Sequence, residues 1–208
     1  MKNESKIHHL FSYPVYASNI GVDKNFFNDV MLKENFIEMG SKNGYFTDNQ
    51  NILHKDNYSF LKKKIDDEVE NYVRNILHVN KKQQFYLTTS WINRHSNNHH
   101  AHPHIHKNAV ISGVYYLKTF ENCGDIYFSV DYNSHVFNNM IKLDFDSINT
   151  YNCDEYSVRP IDGDVLLFPS KLTHRVSHNL TQMDRYSLAF NYFVKGEFGN
   201  MEAYLELK

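Results

Sequence analysis

The chain has 208 residues with 41% hydrophobic and 15% aromatic side chains, enough to bury a full core, so it reads as one folded domain and not as a disordered tract. Its 22 basic and 24 acidic side chains leave a formal net charge of −2, which supplies no basic field for a phosphate backbone and disfavours nucleic acid as a partner. Only Cys123 and Cys153 are present, without a C-x-x-C, which excludes a disulfide framework and a cysteine zinc site and suits a reducing compartment. The N-terminal stretch lacks the apolar core of a secretion signal, and no run approaches the roughly 20 apolar residues that span a bilayer. A soluble, cytoplasmic protein with no membrane segment is expected.

In chain order, residues 10–17 resemble an edge strand, with Pro14 compatible with an unpaired side. Residues 23–39 are predicted helical, with Asp23 as a cap and Phe26, Phe27, Val30 and Met31 at helical spacing. After the turn-rich stretch 42–51, a stronger helix is predicted over 58–79. There Leu61, Ile65, Val69, Val73, Ile76 and Leu77 recur near every 3.6 residues, with charges on the other face. Its lysine clusters, and that at 81–82, read as solvated helix faces or ends. From residue 85 the pattern changes to short strands: 85–93, 110–117, 125–130, a pair around 140–144 and 156–158, then 164–168, 174–177 and 185–194. The polar loops 131–139 and 145–154 are expected beside the mouth of the resulting barrel. The fold class is mainly β with supporting helices: a double-stranded β-helix (jelly roll, cupin-like) with N-terminal helices packed on one sheet. The whole chain, 1–208, is one domain, with 1–84 as strand and supporting helices and 85–196 as the β-helix core.

Six of the thirteen histidines fall between His95 and His106, and His174 follows the apolar run 164–168. Two imidazoles at H-x-H spacing point the same way from a strand and need a third ligand from elsewhere, as in a metal-binding β-barrel. The pair His104 and His106 is expected to run straight into the apolar strand that follows; His102 with His104 is the alternative register. Arg185, two residues before Ser187 on a strand, supplies a planar fork and a hydroxyl for one carboxylate. Tyr115 and Tyr116 point to opposite faces, so only one meets the interior. Trp91 and Asn93 either line a pocket or pack the core. Plainer readings stand beside these. The histidine run can be a solvated loop, Arg185 a surface cation, Ser187 a core-edge residue and His178 a loop residue. Three imidazoles suit iron, and equally zinc, copper or nickel. No Ser-His-Asp or paired-carboxylate arrangement has a convincing context.

Pro103-His104-Ile105-His106, then Ser112-Gly113-Val114-Tyr115-Tyr116-Leu117, Gly163-Asp164-Val165-Leu166-Leu167-Phe168-Pro169, His174 and Arg185-x-Ser187 together resemble the iron(II)- and 2-oxoglutarate-dependent oxygenases. The likeness is closest to a small bacterial and phage branch similar to prolyl hydroxylases, and covers about residues 85–194. It implies that His104, His106 and His174 are metal ligands and catalytic residues, that Arg185 and Ser187 hold the distal carboxylate of 2-oxoglutarate, and that Tyr116 lies near it. It implies Fe(II) as cofactor, 2-oxoglutarate as cosubstrate, O2 and a peptide or small-molecule substrate as partners, and C–H hydroxylation coupled to release of succinate and CO2. This chain departs from the family at His106, where most members carry Asp or Glu, leaving the site one negative charge short. Two other readings remain open: a non-catalytic cupin-like metal-binding module, and a three-histidine dioxygenase or isomerase that uses no 2-oxoglutarate.

Overall fold

A computed structural model describes residues 6–8, 12–40, 42–130 and 143–208. Two antiparallel sheets form its body. The major sheet has the order β1 (Tyr16–Asn19), β9 (Asp164–Pro169), β6 (Ile111–Lys118), β11 (Arg185–Phe198), β4 (Gln83–His95), β3 (Tyr45–Thr47), β2 (Phe36–Glu38), and β12 (Leu205–Leu207) adds to the far end of β11. The minor sheet has the order β5 (Ala101–His104), β10 (Thr173–Val176), β7 (Ile126–Ser129), β8 (Glu155–Val158).

Alternation along the major strands divides the apolar residues between two cores. On one face Ile92, Ile111, Tyr115, Leu117, Val165, Leu167, Leu188, Phe190 and Tyr192 pack beneath the helices. On the other, Tyr116, Leu166 and Phe168 meet Ile126, Phe128 and Leu172 of the facing minor-sheet region. Gly113 serves the helix-side core by being small: a Cβ there would lie 2.3 Å from Phe190 Cε2 and 2.7 Å from Leu167 Cδ2.

The long helix, α2 (Ser59–Asn71), covers the major sheet with Leu61, Ile65 and Val69, as its periodicity predicts. It does not continue to residue 79. A π turn over Tyr72–Ile76 breaks the 3.6-residue register, and Arg74 donates to the carbonyls of Val79, Asn80 and Gln83. Ile76 and Leu77 therefore face outward instead of completing the apolar stripe. The helix predicted over 23–39 is also shorter. Asp23 caps it, accepting from the Phe26 amide at 3.0 Å, but α1 spans only Lys24–Asp29. A 3₁₀ turn follows, and residues 36–38 pair with the adjoining β3, because β3 is docked on β4 and extending the sheet outweighs local helical spacing. The stretch 42–51, read as turns, contributes β3.

The edge strand lies at Tyr16–Asn19, somewhat later than expected, and pairs with β9; residues 10 and 11 of the predicted span lie outside the described residues. So do 131–139 and the first part of the predicted strand 140–144. Among the described residues, no helix is long and apolar enough to cross a membrane.

Candidate active site

The imidazole pair does not sit on the strand that follows it. His104 ends β5 in the minor sheet, directly opposite His174 on β10. His106 lies beyond the strand, its amide bound to the Ser170 carbonyl at 3.0 Å, and a turn separates it from β6. The cross-strand pair and this tether bring the three rings together, with centroids 4.3 Å (His104–His174), 5.2 Å (His104–His106) and 5.1 Å (His106–His174) apart. One ligand nitrogen of each lies within 4.8 Å of the others, and this is the only such group of three or more potential ligands among the described residues.

Each ring is oriented by an oxygen behind it. His104 Nδ1 lies 2.7 Å from the His102 carbonyl, His174 Nδ1 3.0 Å from the Leu172 carbonyl, and His106 Nδ1 2.7 Å from Asn191 Oδ1. A carbonyl only accepts, so the proton of each neutral ring resides on Nδ1 and the Nε2 lone pair is left for a metal. At His106 the acceptor is itself fixed, since Asn191 Nδ2 donates to Thr89 Oγ1 at 3.0 Å and Ser112 Oγ donates to Asn191 Oδ1 at 2.7 Å. Burial, then the neighbouring His104, hold His106 below the ordinary histidine range; the same causes hold His174 down to about 3. Both are thus neutral at neutral pH, the form that ligates metal. Phe168 packs edge-on against His174, and Trp91 stacks on His106 at 5.9 Å and 19°. Trp91 thereby lines the cavity, and its indole N–H donates to Asn93.

From the cluster a cavity of about 120 Å³ runs between the sheets, lined also by Asn93, Tyr116, Arg185 and Ser187. The register places them side by side: Arg185 opposite His95, Ser187 between Asn93 and Tyr116. Tyr116 is buried in this face, whereas Tyr115 points to the helix side and donates to the Gly21 carbonyl at 2.6 Å. Arg185 is 2% exposed. Its Nη1 donates to the Gly124 carbonyl at 3.1 Å and its Nη2 to His95 Nδ1 at 2.6 Å, while Nε has no partner. No carboxylate forms an ion pair with it among the described residues. Burial lowers its pKa, yet a guanidinium stays protonated. A buried cation with an unpaired N–H beside the cavity is suited to a carboxylate supplied from outside.

The other histidines stand apart. His99 Nδ1 accepts from the Ser96 amide, and its ring packs near Tyr45. His100 lies between His102 and His178, at 4.6 and 4.3 Å. His102 reaches the cluster through its carbonyl and not its ring, so the alternative register does not occur. Sequence reasoning passed over Asn191 and His95. Both lie on the inward alternation of their strands, at the same parity as Ser187 and Asn93, and that parity was the available signal.

A family model described as a putative 2OG-Fe(II) oxygenase matches residues 89–191, a span that holds all of these cavity residues on β4, β6, β10 and β11. Among solved structures, HygX from Streptomyces hygroscopicus with nickel, 2-oxoglutarate and hygromycin B bound is similar at a TM-score of 0.60 and 15% identity, covering 86% of this chain and 82% of that one. A Pseudomonas putida prolyl-4-hydroxylase gives 0.56 and 12%, covering 86% and 93%. A 2OG-Fe(II) oxygenase family protein from Burkholderia pseudomallei gives 0.58 and 11%, covering 86% and 83%. At these identities the likeness is one of fold, a double-stranded β-helix. No curated protein matches the chain.

Proposed function

Because this chain belongs to the iron(II)- and 2-oxoglutarate-dependent oxygenases, we propose that it hydroxylates an unactivated C–H bond in the manner of a prolyl hydroxylase, with a peptidyl side chain such as proline as substrate class. The observation that carries this reading is the pairing of two things in one cavity: three imidazoles with their Nε2 lone pairs free, and a buried guanidinium without an acid. In this reading His104, His106 and His174 hold Fe(II), and Arg185, Ser187 and Tyr116 receive the distal carboxylate of 2-oxoglutarate. Residues 85–196 would form the catalytic core, with 1–84 in support.

When bound, the metal and the oxo acid supply oxidative decarboxylation of 2-oxoglutarate to succinate and CO2, coupled to oxygen insertion. The chain's own work is to orient and to exclude water. Leu172, Asn191 and the His102 carbonyl hold the three rings facing one point. With only His104, His106 and His174 as protein ligands, a metal held there would remain accessible to the oxo acid and O2. Phe168, Ile126 and Val114 make the walls apolar, which strengthens the attraction between Arg185 and an incoming carboxylate. The cavity is smaller than the roughly 300 Å³ or more that encloses a drug-sized ligand, so the substrate presents its reacting carbon from the mouth. A prolyl hydroxylase and a protein crystallised with hygromycin B share the fold, so the fold by itself does not choose the substrate.

The test is release of succinate and CO2 from 2-oxoglutarate by anaerobically iron-loaded protein given O2 and a pool of proline-containing peptides. Absence of turnover across such pools, beside an active positive control, counts against the reading. Addition of 2-oxoglutarate without O2 should raise the visible absorption of an iron–oxo acid chelate. In Arg185→Ala that absorption should need far more 2-oxoglutarate, with metal content unchanged. Equal loss of metal and oxo acid would make Arg185 structural. A metal-binding module, or an enzyme with no use for 2-oxoglutarate, would give no such absorption.

A further inference from the structure

His95 is buried to the same degree as Arg185, at 3% and 2% exposed, and the two face each other across the β4–β11 ladder. The 2.6 Å contact between Arg185 Nη2 and His95 Nδ1 has only one chemical sense. A guanidinium has no acceptor, so Nδ1 carries a lone pair, and the ring is neutral with its proton on Nε2. The space for the ring exists because residue 44 is glycine: at φ +88°, a Cβ there would fall 2.4 Å from His95 Cδ2 and 2.9 Å from the Arg94 carbonyl. Held at Nη2 by His95 and at Nη1 by Gly124, the guanidinium is fixed, with Nε left unpartnered.

The usual orienting partner for a buried arginine is a carboxylate, which would also cancel its charge. A neutral imidazole orients without cancelling. We propose that His95 is a positioning residue for the cosubstrate: it locks the Arg185 fork in place without a carboxylate paired to it, leaving the guanidinium for an incoming dicarboxylate. This rests on the reading of Arg185 as the dicarboxylate anchor.

The experiment is an anaerobic titration of iron-loaded protein with 2-oxoglutarate, and separately with pyruvate, which offers the same chelating group but no distal carboxylate. Binding is followed by the chelate absorption. His95→Leu should raise the half-saturating 2-oxoglutarate concentration about tenfold or more, the size expected for one hydrogen bond to a charged group, and leave pyruvate binding and iron content unchanged. His95→Asn, neutral and still able to accept, should bind 2-oxoglutarate close to the unaltered protein. His95→Asp, which supplies an internal counter-charge, should bind it more weakly than His95→Asn. Equal weakening of both oxo acids in His95→Leu would make the residue merely structural and overturn the proposal. Unchanged 2-oxoglutarate binding in His95→Leu, beside a large loss in Arg185→Ala, would overturn it while sparing the anchor. If Arg185→Ala also bound 2-oxoglutarate normally, anchor and proposal would fall together.

Discussion

At His106 one side chain decides which ring nitrogen faces the cluster. His104 and His174 lean on backbone carbonyls that no substitution removes, but His106 leans on Asn191. Asn191→Ala should therefore weaken metal binding by about 10- to 100-fold, the usual effect of losing a group that orients a ligand, as read by competition with a chromophoric chelator. Ser187→Ala should leave that affinity unchanged. His95 makes a separate prediction. Burial first, then the Arg185 charge, with His99 and His100 adding to it, hold it well below the ordinary histidine range, against a raising Asn43 backbone hydrogen bond. Below pH about 6.5 the unfolded chain takes up a proton that the folded ring refuses, so this contribution is full above that pH and declines as pH falls, at up to about 1.4 kcal/mol per unit. In His95→Asn the slope of the urea midpoint between about pH 7 and 5 should flatten; an unchanged slope would place the titration elsewhere.

Among the elements, β11 joins the two cores. Its odd residues Arg185, Ser187 and Ala189 line the cavity and its even residues from Tyr186 to Tyr192 face the helices, so one strand carries both the proposed carboxylate anchor and the main scaffold. Gly113 on β6 admits Phe190 into that scaffold. Gly113→Val should cost about 1–3 kcal/mol by overpacking, seen as a lower denaturation midpoint. On the helix side, Ile65 is fully buried and Ile76 is 50% exposed. Ile65→Ala should cost about 2–5 kcal/mol and Ile76→Ala within about 0.5, although both lie on the same stripe of the sequence pattern. The strands after residue 85 were legible because alternation is a local property of the chain. The π turn after α2 and the β2–β3 hairpin were not, since neither the reach of Arg74 to the carbonyls of Val79, Asn80 and Gln83 nor the docking of β3 on β4 is written in a period-2 or period-3.6 pattern.

Across the whole molecule the two proposed ligand sets sit on different sheets. The three imidazoles come from the minor sheet and the loop after β5, while Tyr116, Arg185 and Ser187 come from the major sheet. On the proposed roles, a metal held by the imidazoles would engage one layer, and a dicarboxylate held also by Arg185 would engage both. Thermal unfolding should therefore rise with metal and further with 2-oxoglutarate, by about 2.7 kcal/mol at a hundredfold excess over the dissociation constant, and less with pyruvate at the same concentration. Equal shifts from the two oxo acids would mean that the major sheet takes no part in binding.

The sequence by itself determined the strand-rich core, the covering helix, and the residue types able to bind a metal and a carboxylate, because period-2 and period-3.6 patterns and donor chemistry are written in neighbouring residues. Only the tertiary structure decided that His106 and not His102 turns its ring toward His104 and His174, that Asn191 fixes its tautomer, and that His95 and not an acid faces Arg185. The physical reason is that these choices depend on strand register and on a β5–β10 irregularity between the His174–His104 and Val176–Ala101 pairs. A shift of one residue in pairing sends a side chain to the opposite face, and no local pattern in the chain records that register.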